Sequence, residues 1–363
     1  MLSWDHLRSN LLVKLGEVTD RTHALPMLLF AVTARCNSRC TSCDWWRADG
    51  AGDLTLAEIK ALAAGLAAFG TRVVVLTGGE PLVRPDIIEI ADAFRAQGLS
   101  LHLLTSGLAL ERYAEAIARR FEAVTISLDA HTAELYEEIR GVNGLAVVAA
   151  GVAKLRALAP HVRLTARSTL HRLNYRHVAA IADKARELGL DQVSFLAADL
   201  SSDAFNRPGN ADSKLRLVDA RPVPTEPASA VAALRLDEAD VTAFEDVIES
   251  VIRSHGPAIE RGQIAPSADG LRRLVAYYRA HLGQGAFPAV DCNAPWMSVF
   301  IEANGAVRPC FFHAPVGNIR ETALGQLLNE AMPAFRRALD MGRDPTCQRC
   351  VCTLKVGLRS NLW

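Results

Sequence analysis

The constraint that most limits this chain is where its eight cysteines stand. Cys36, Cys40 and Cys43 lie near the N-terminus, while Cys292, Cys310, Cys347, Cys350 and Cys352 lie near the C-terminus. The long stretch between Cys43 and Cys292 holds none. Cysteines that merely fill a core behave as small hydrophobes and scatter through it. Cysteines gathered at two ends of a chain read as ligands. The segment Met1 to Asp20 breaks its leucines with Asp5, His6, Arg8, Lys14 and Glu17, so it lacks the apolar core of a signal peptide. No apolar run, Ala61 to Gly70 included, approaches the ~18 residues of a membrane-spanning helix. The expected location is the cytoplasm, with no membrane partner. There the thiols stay reduced and serve metal binding or catalysis rather than disulfides.

Charge excludes another class. Lysine plus arginine number 40 and aspartate plus glutamate 40, and 6% of the 363 residues are aromatic. Nucleic-acid binding needs a basic face and stacking side chains, so no nucleic-acid partner is expected. The locally basic stretch Arg343, Arg349, Lys355, Arg359 reads as solvated surface. Half of the chain is apolar. At this length ~75% of the unfolded surface would be buried on folding, which excludes wholesale disorder.

From Met27 to about Ala198 a strand-then-helix unit repeats. Strands are expected at Met27–Thr33, Arg72–Thr77, Ser100–Thr105, Ala123–Leu128, Val162–Ser168 and Gln192–Ala197. Thr55-Leu56-Ala57-Glu58 is a capping box. The helix it opens sets Leu56, Ile59, Leu62, Leu66 and Phe69 on one stripe and stops at Gly70. Asp86 and Asn174 open further helices, which Gly98 and Gly189 end. Alternation of this kind implies parallel strands with helical crossovers, either an α/β barrel or a doubly wound sheet. Six units are too few for a full eight-stranded barrel. Residues 199–226 carry Pro208, Gly209, Pro222 and Pro224 and read as a linker. Helices follow at about Asp237–Ser254 and Asp269–Leu282. Near the C-terminus, Ser298–Ala303, Asn304-Gly305 and Ala306–Arg308 read as a hairpin closed by a type I′ turn.

Cys36-x3-Cys40-x2-Cys43 follows the first strand directly. Three thiolates can hold three irons of a four-iron cubane and leave the fourth open, whereas an electron-carrying cluster usually has four Cys. Open coordination is what a metal site keeps when something else must bind. Thr77-Gly78-Gly79-Glu80-Pro81 stands at the end of the second strand, where glycines allow close backbone approach. Thr105-Ser106-Gly107 ends the third strand, Ile126-Ser127-Leu128-Asp129-Ala130 the fourth, and Glu138-Ile139-Arg140-Gly141 follows. On these motifs the chain resembles the radical S-adenosylmethionine (SAM) superfamily, over about Pro26 to Ala198 and again from Cys292 to Trp363. The resemblance implies a [4Fe-4S] cluster on Cys36, Cys40 and Cys43 whose open iron is chelated by SAM. It implies SAM contacts from Gly78, Gly79, Glu80, Pro81 and Ser127. Thr105 and Ser42 are further carried-over contacts, and Arg140 would hold a carboxylate of SAM or substrate. Trp45 and Trp46 are expected to shield the cluster. A structural zinc on the triad, with His23 or a remote residue as fourth ligand, is the plain alternative.

Cys292-x12-Gly305-x4-Cys310 with Cys347-x2-Cys350 resembles the C-terminal SPASM module or its shorter form, twitch. The spacing suits twitch, which implies one auxiliary [4Fe-4S] cluster. Cys352 is either a spare thiol or a ligand in place of a neighbour. His313 and Arg308 flank Cys310 and either face the substrate or play an ordinary surface or ligand-supporting role. A zinc ribbon is the alternative here.

The resemblance implies the fold of a partial (β/α)6 TIM-like barrel with a small C-terminal cysteine-rich domain. Its expected divisions are an extension at 1–25, a radical SAM core at 26–200, linker and helices at 201–290, and the auxiliary domain at 291–363. The implied activity is reductive cleavage of SAM to a 5′-deoxyadenosyl radical. That radical would oxidise or rearrange a small-molecule or peptide substrate, with a reductant such as flavodoxin or ferredoxin. The stretch before the first strand is short for a leader-peptide-binding segment, which favours a small molecule or a peptide delivered by a partner. The rival class is a non-catalytic iron–sulfur or zinc scaffold, or an electron carrier.

Overall fold

The computed structural model describes residues 4–202, 204–205 and 227–358. Most of the proline-bearing linker, and Arg359 of the basic stretch, lie outside the described residues. The strands are β1 (Met27–Thr33), β2 (Val73–Gly78), β3 (Ser100–Thr105), β4 (Ala123–Ser127), β5 (Arg163–Leu170), β6 (Gln192–Ala197), β7 (Ile264–Ala265), β8 (Ser298–Ile301), β9 (Ala306–Arg308) and β10 (Gly317–Asn318). The helices used below are α1 (Trp4–Thr19), α2 (Leu56–Leu66), α3 (Ile87–Arg95), α4 (Leu110–Ala118), α5 (Ala133–Arg140), α6 (Leu145–Leu158), α7 (Val178–Glu187), α8 (Pro227–Leu234), α9 (Glu238–Glu260) and α10 (Ala268–His281). All six expected strands are present, with ends that differ only slightly from expectation.

The chain forms two compact units, each discontinuous in sequence. The first comprises Met1–Ala34, Gly50–His102 and Ala289–Trp363, and the second Arg35–Asp49 and Leu103–Pro288. The division falls inside β3. In the first unit β1 pairs in parallel with β2, with Phe30 opposite Leu76, and with β8, with Leu29 opposite Phe300. The run Met-Leu-Leu-Phe-Ala-Val-Thr of β1 is buried at all but one position, as an apolar strand covered on both faces must be. On α2, Ile59, Leu62, Ala63 and Leu66 are buried, and the capping box of Thr55 and Glu58 forms. Residues 4–19, within the expected extension, form α1.

The hairpin of β8 and β9 exists, with Ile301 opposite Val307, but its turn differs from expectation. Gly305 N–H donates to Glu302 C=O at 2.9 Å, and Glu302 N–H to Ala306 C=O at 2.8 Å. Gly305 has φ 89, whereas Asp20 alone among the described non-glycine residues has positive φ. This is a type I turn closed by a glycine bulge rather than type I′, because Asn304 stays on the ordinary side of φ.

In the second unit β4, β5, β6 and β7 pair in parallel. Their alternation separates two faces. Val124 and Ile126, Leu164 and Ala166, and Val193 and Phe195 are buried, and the residues between them are half-exposed or exposed. The open face is polar, carrying Thr125, Ser127, Thr165, Arg167 and Ser194. Tyr278 on α10 donates to Leu170 C=O at 2.5 Å and accepts from Ala198 N–H at 3.0 Å, tying down the ends of β5 and β6.

Candidate functional site

The loop of the first three cysteines belongs to the second unit, and it is gripped on either side of Cys40. Arg39 N–H donates to Arg140 C=O at 2.8 Å and Thr41 N–H to Ile139 C=O at 2.9 Å. These acceptors are carbonyls that the C-terminal turn of α5 leaves without helical partners. Gly141 follows with φ 67, and a Cβ there would stand 2.5 Å from the Arg39 carbonyl oxygen. The arginine–glycine pair is thus a clasp for the loop. Cys43 N–H donates to Cys40 C=O at 3.3 Å, and Cys36 Sγ accepts from Ser38 N–H at 3.5 Å.

Burial pushes the Cys40 thiol up, and the neighbouring Arg140 guanidinium works against it. Arg140 pairs with Asp129 at 3.0 Å, the two side chains being 11% and 7% exposed. Asp129 also accepts from Thr169 N–H at 2.7 Å. Arg140 therefore sits beside a cysteine, neutralised by a buried carboxylate, and its Nε lacks a hydrogen-bond partner. Trp45 Nε1 donates to Ala204 C=O at 3.1 Å, and Arg47 lies over the Trp46 ring at 4.2 Å. Thr105 Oγ1 accepts from Gly107 N–H at 3.0 Å, and Ser106 Oγ donates to Asn37 of the cysteine loop at 3.3 Å. Ser42 is half-buried in the loop's turn. Ser127 ends β4 opposite Arg167, which in turn stands opposite Ser194.

Two residues here lie outside the sequence motifs. His171, just after β5, is buried with Nε2 unpartnered, and burial lowers its pKa to about 4. Its Nδ1 accepts from Leu173 N–H at 3.3 Å, leaving the proton on Nε2. Arg167 reaches Ser194 at 3.4 Å on the open face. The alternation in Arg-Leu-Thr-Ala-Arg-Ser-Thr-Leu would have placed Arg167 on the polar side.

The glycine motif belongs to the first unit. Gly78 has φ 131, and a Cβ there would collide with the Thr33 carbonyl oxygen. Gly79 N–H donates to that same carbonyl at 2.9 Å. The close passage of β2's end over Thr33 demands glycine by itself. Glu80 is fully buried and caps the turn Pro81–Val83 by accepting from Leu82 N–H at 3.0 Å. Asp53, which the motifs did not flag, accepts from the Thr33 hydroxyl at 2.5 Å and from Ala34 N–H at 3.0 Å. Arg84 donates to Val32 C=O at 2.5 Å and to Leu54 C=O at 2.8 Å. His23 pairs with Thr19 at 2.8 Å.

The C-terminal cysteines also belong to the first unit. Cys292, Cys310, Cys347 and Cys350 line one cavity with Val290, Pro295, Phe312, His313, Leu339 and Met341. Cys352 is not among its walls, and its carbonyl accepts from the Cys350 thiol at 2.9 Å. Burial, with the other thiols nearby, pushes Cys310 up to about 11. Burial and Asp344 push Cys347 up to about 12, and Cys350 is raised by burial. Four soft donors crowded on one apolar cavity, with burial opposing the charge on Cys310, Cys347 and Cys350, suit a cationic group bound through sulfur. A tetrahedral zinc would need ligand atoms about 3.8 Å apart, as its ~2.3 Å bonds to sulfur require. Among the described residues, the three metal-ligating side chains found within 4.8 Å of one another are His313, Asp344 and Cys347, not three thiols. By its chemistry a four-thiol set suits an iron–sulfur group. Arg308 pairs with Glu302 and donates to His313 C=O at 2.8 Å.

Comparison with known families agrees with this arrangement. Residues 30–185 match the radical SAM superfamily, and residues 292–351 match SPASM, an iron–sulfur cluster-binding domain. The chain thus carries a radical SAM domain and a SPASM domain. A probable GTP 3′,8-cyclase of Thermococcus kodakarensis is 36% identical over 128 residues, 34% of this chain and 42% of the relative. An AdoMet-dependent heme synthase of Methanosarcina barkeri is 31% identical over 173 residues, 46% of this chain and 49% of the relative. The chain thus spans less than half the length of these curated relatives. Among solved structures, Streptococcus suis SuiB bound to S-adenosylmethionine has a TM-score of 0.61 at 14% identity, over 94% of this chain and 76% of that one. Native anSMEcpe with bound AdoMet and Kp18Cys peptide has a TM-score of 0.60 at 16% identity, over 91% of each chain. These likenesses show the fold, the mixed α/β architecture with parallel strands expected from the strand–helix repeat. Among the described residues no single helix is long and apolar enough to cross a membrane.

Proposed function

We propose that this chain is a radical SAM oxidoreductase or maturase acting in a biosynthetic pathway. Cys36, Cys40 and Cys43 hold a [4Fe-4S] cluster, and Cys292, Cys310, Cys347 and Cys350 hold one auxiliary cluster. Cys352 is the spare thiol. The observation that carries this reading is the pairing of a clasped three-thiol loop with a separate four-thiol cavity. The first leaves an iron open, and the second closes its coordination. When bound, the first cluster and SAM supply a 5′-deoxyadenosyl radical that takes hydrogen from a substrate carbon.

The side chains bind and orient. The α5 clasp fixes Cys40, and the Arg140–Asp129 pair places a balanced charge beside it. Gly78, Gly79, Glu80, Pro81, Thr105 and Ser127 contact SAM, with Ser42 at the loop. Arg140 is engaged by Asp129, which supports a role toward the cluster more than one in holding a free carboxylate. Substrate, a small molecule or a peptide, lies against the polar face of β4, β5 and β6. Both classes occur among its relatives and structural neighbours, in the heme synthase and the GTP 3′,8-cyclase and in the peptide complexes of SuiB and anSMEcpe. Electrons come from a low-potential donor such as flavodoxin or ferredoxin, and the protein works in the cytoplasm.

The test is anaerobic reconstitution with iron and sulfide, then dithionite and SAM. The expected result is about eight irons per chain, four for each cluster, with 5′-deoxyadenosine released. Zinc in place of iron, or iron without SAM cleavage, would return the chain to the scaffold class.

A further inference from the structure

His313 is the one nitrogen ligand type on the wall of the four-thiol cavity, and it points at a cysteine. Its Nε2 lies 3.3 Å from Cys347 Sγ. A metal-bound thiolate has no proton to give, so in that pair only the imidazole can donate. The ring is held where it stands. His313 is 7% exposed, and its edge meets Phe335 with centroids 4.9 Å apart. Its carbonyl is fixed by Arg308, which is itself paired to Glu302. Glu302 and Arg308 flank the turn of the β8–β9 hairpin, and Cys310 follows closely after Arg308. The hairpin that delivers one ligand therefore also positions the donor to another. Asp344 accepts from Cys347 N–H at 2.9 Å and comes within 3.8 Å of the same Nε2, so ring nitrogen, carboxylate and sulfur lie within 4.8 Å of one another.

We propose that His313 sets the reduction potential of the auxiliary cluster by donating a hydrogen bond from Nε2 to the Cys347 thiolate. This rests on the cluster reading of the cavity given above. Hydrogen bonds to ligand sulfurs stabilise the more negative, reduced cluster and raise its potential. The carboxylate of Asp344 acts in the opposite sense. His313 is in this view a positioning and tuning residue, not a fifth ligand, and four thiols already complete the set.

The test uses the full reconstituted protein and redox titration followed by electron paramagnetic resonance. The auxiliary signal is identified as the one lost in Cys310→Ala. In His313→Phe, which keeps a ring against Phe335 but has no donor, the auxiliary midpoint should move to more negative potential with iron content unchanged. His313→Gln, which restores an N–H donor, should return the midpoint toward wild type. The signal of the first cluster, recognised by its change on adding SAM, should not move in either variant. An unchanged midpoint in His313→Phe would overturn the proposal, as would loss of about four irons, which would make His313 a ligand. If the wild-type protein showed no auxiliary signal, the cluster reading itself would fail and this inference with it.

Discussion

The two cysteine groups solve the same problem by opposite means. Cys36, Cys40 and Cys43 share one short loop, so that loop brings them together and a single clasp from α5 fixes it. Cys292, Cys310, Cys347 and Cys350 lie far apart in the chain, and they meet only because a hairpin, a turn and the C-terminal segment fold onto one cavity. Their electrostatics differ too. Cys40 has a guanidinium beside it, which eases the thiolate, whereas Cys347 has the carboxylate of Asp344, which resists it. In the proposed reading, the loop that leaves one iron open is the one held by backbone bonds.

The sharpest break between the two is made by single cysteines. Cys40→Ala should remove the iron of one cluster and abolish 5′-deoxyadenosine formation, read by iron assay and chromatography. Retained cleavage would sink the assignment of the loop. Cys310→Ala should remove the other cluster while SAM cleavage persists, uncoupled from substrate turnover. Turnover that survived would take the auxiliary cluster out of the reaction.

The clasp gives a smaller but telling contrast. Gly141→Ala forces both a positive φ and a clash with Arg39, so it should cost about 3 kcal/mol and the iron of the first cluster only. Gly189→Ala has φ 73 but open space around it and should cost about 1 kcal/mol with both clusters kept. Thermal unfolding and iron counts on the pair separate loop geometry from general destabilisation. Equal losses would mean that the clasp has no special hold on the cysteines.

Acid should weaken the second unit through His171. Burial lowers its pKa to about 4, while an unfolded histidine titrates near 6.5. The unfolded chain therefore takes up the proton first, and stability falls as pH drops from about 6.5 to about 4. The loss is at most about 3 kcal/mol. His171→Gln should flatten urea-unfolding midpoints across that window, and an unchanged slope would put the imidazole in water. The smallest effect is expected of Cys352→Ser, with iron content unaltered. Iron lost in that variant would bring Cys352 into the ligand set and displace one of its neighbours.

Much of this molecule is legible in its sequence. The six strands from β1 to β6 follow from β-branched and leucine runs separated by capped helices, because local patterning and caps act over a few residues. The triad, Gly78-Gly79 and Ser127 are likewise visible as short motifs. Local chemistry misleads at one turn. Asn-Gly suits type I′, yet the pairing of Glu302 with Ala306 fixes a type I turn with a bulge. The motif around Arg140 suggests a ligand for a carboxylate of SAM or substrate. The carboxylate it meets is Asp129, just past the end of β4, and that pairing is a matter of how α5 docks.

By itself, then, the sequence determined the strand–helix rhythm, the two groups of thiols and the glycines whose positive φ or close contact permits nothing larger. These depend on residues near one another in the chain. Tertiary structure alone decided that β8 pairs with β1, that Cys352 stays off the cavity wall, and that His313 meets Cys347 across 34 positions. Such contacts arise from burying distant apolar surfaces together, and their partners leave no spacing in the chain by which to recognise them.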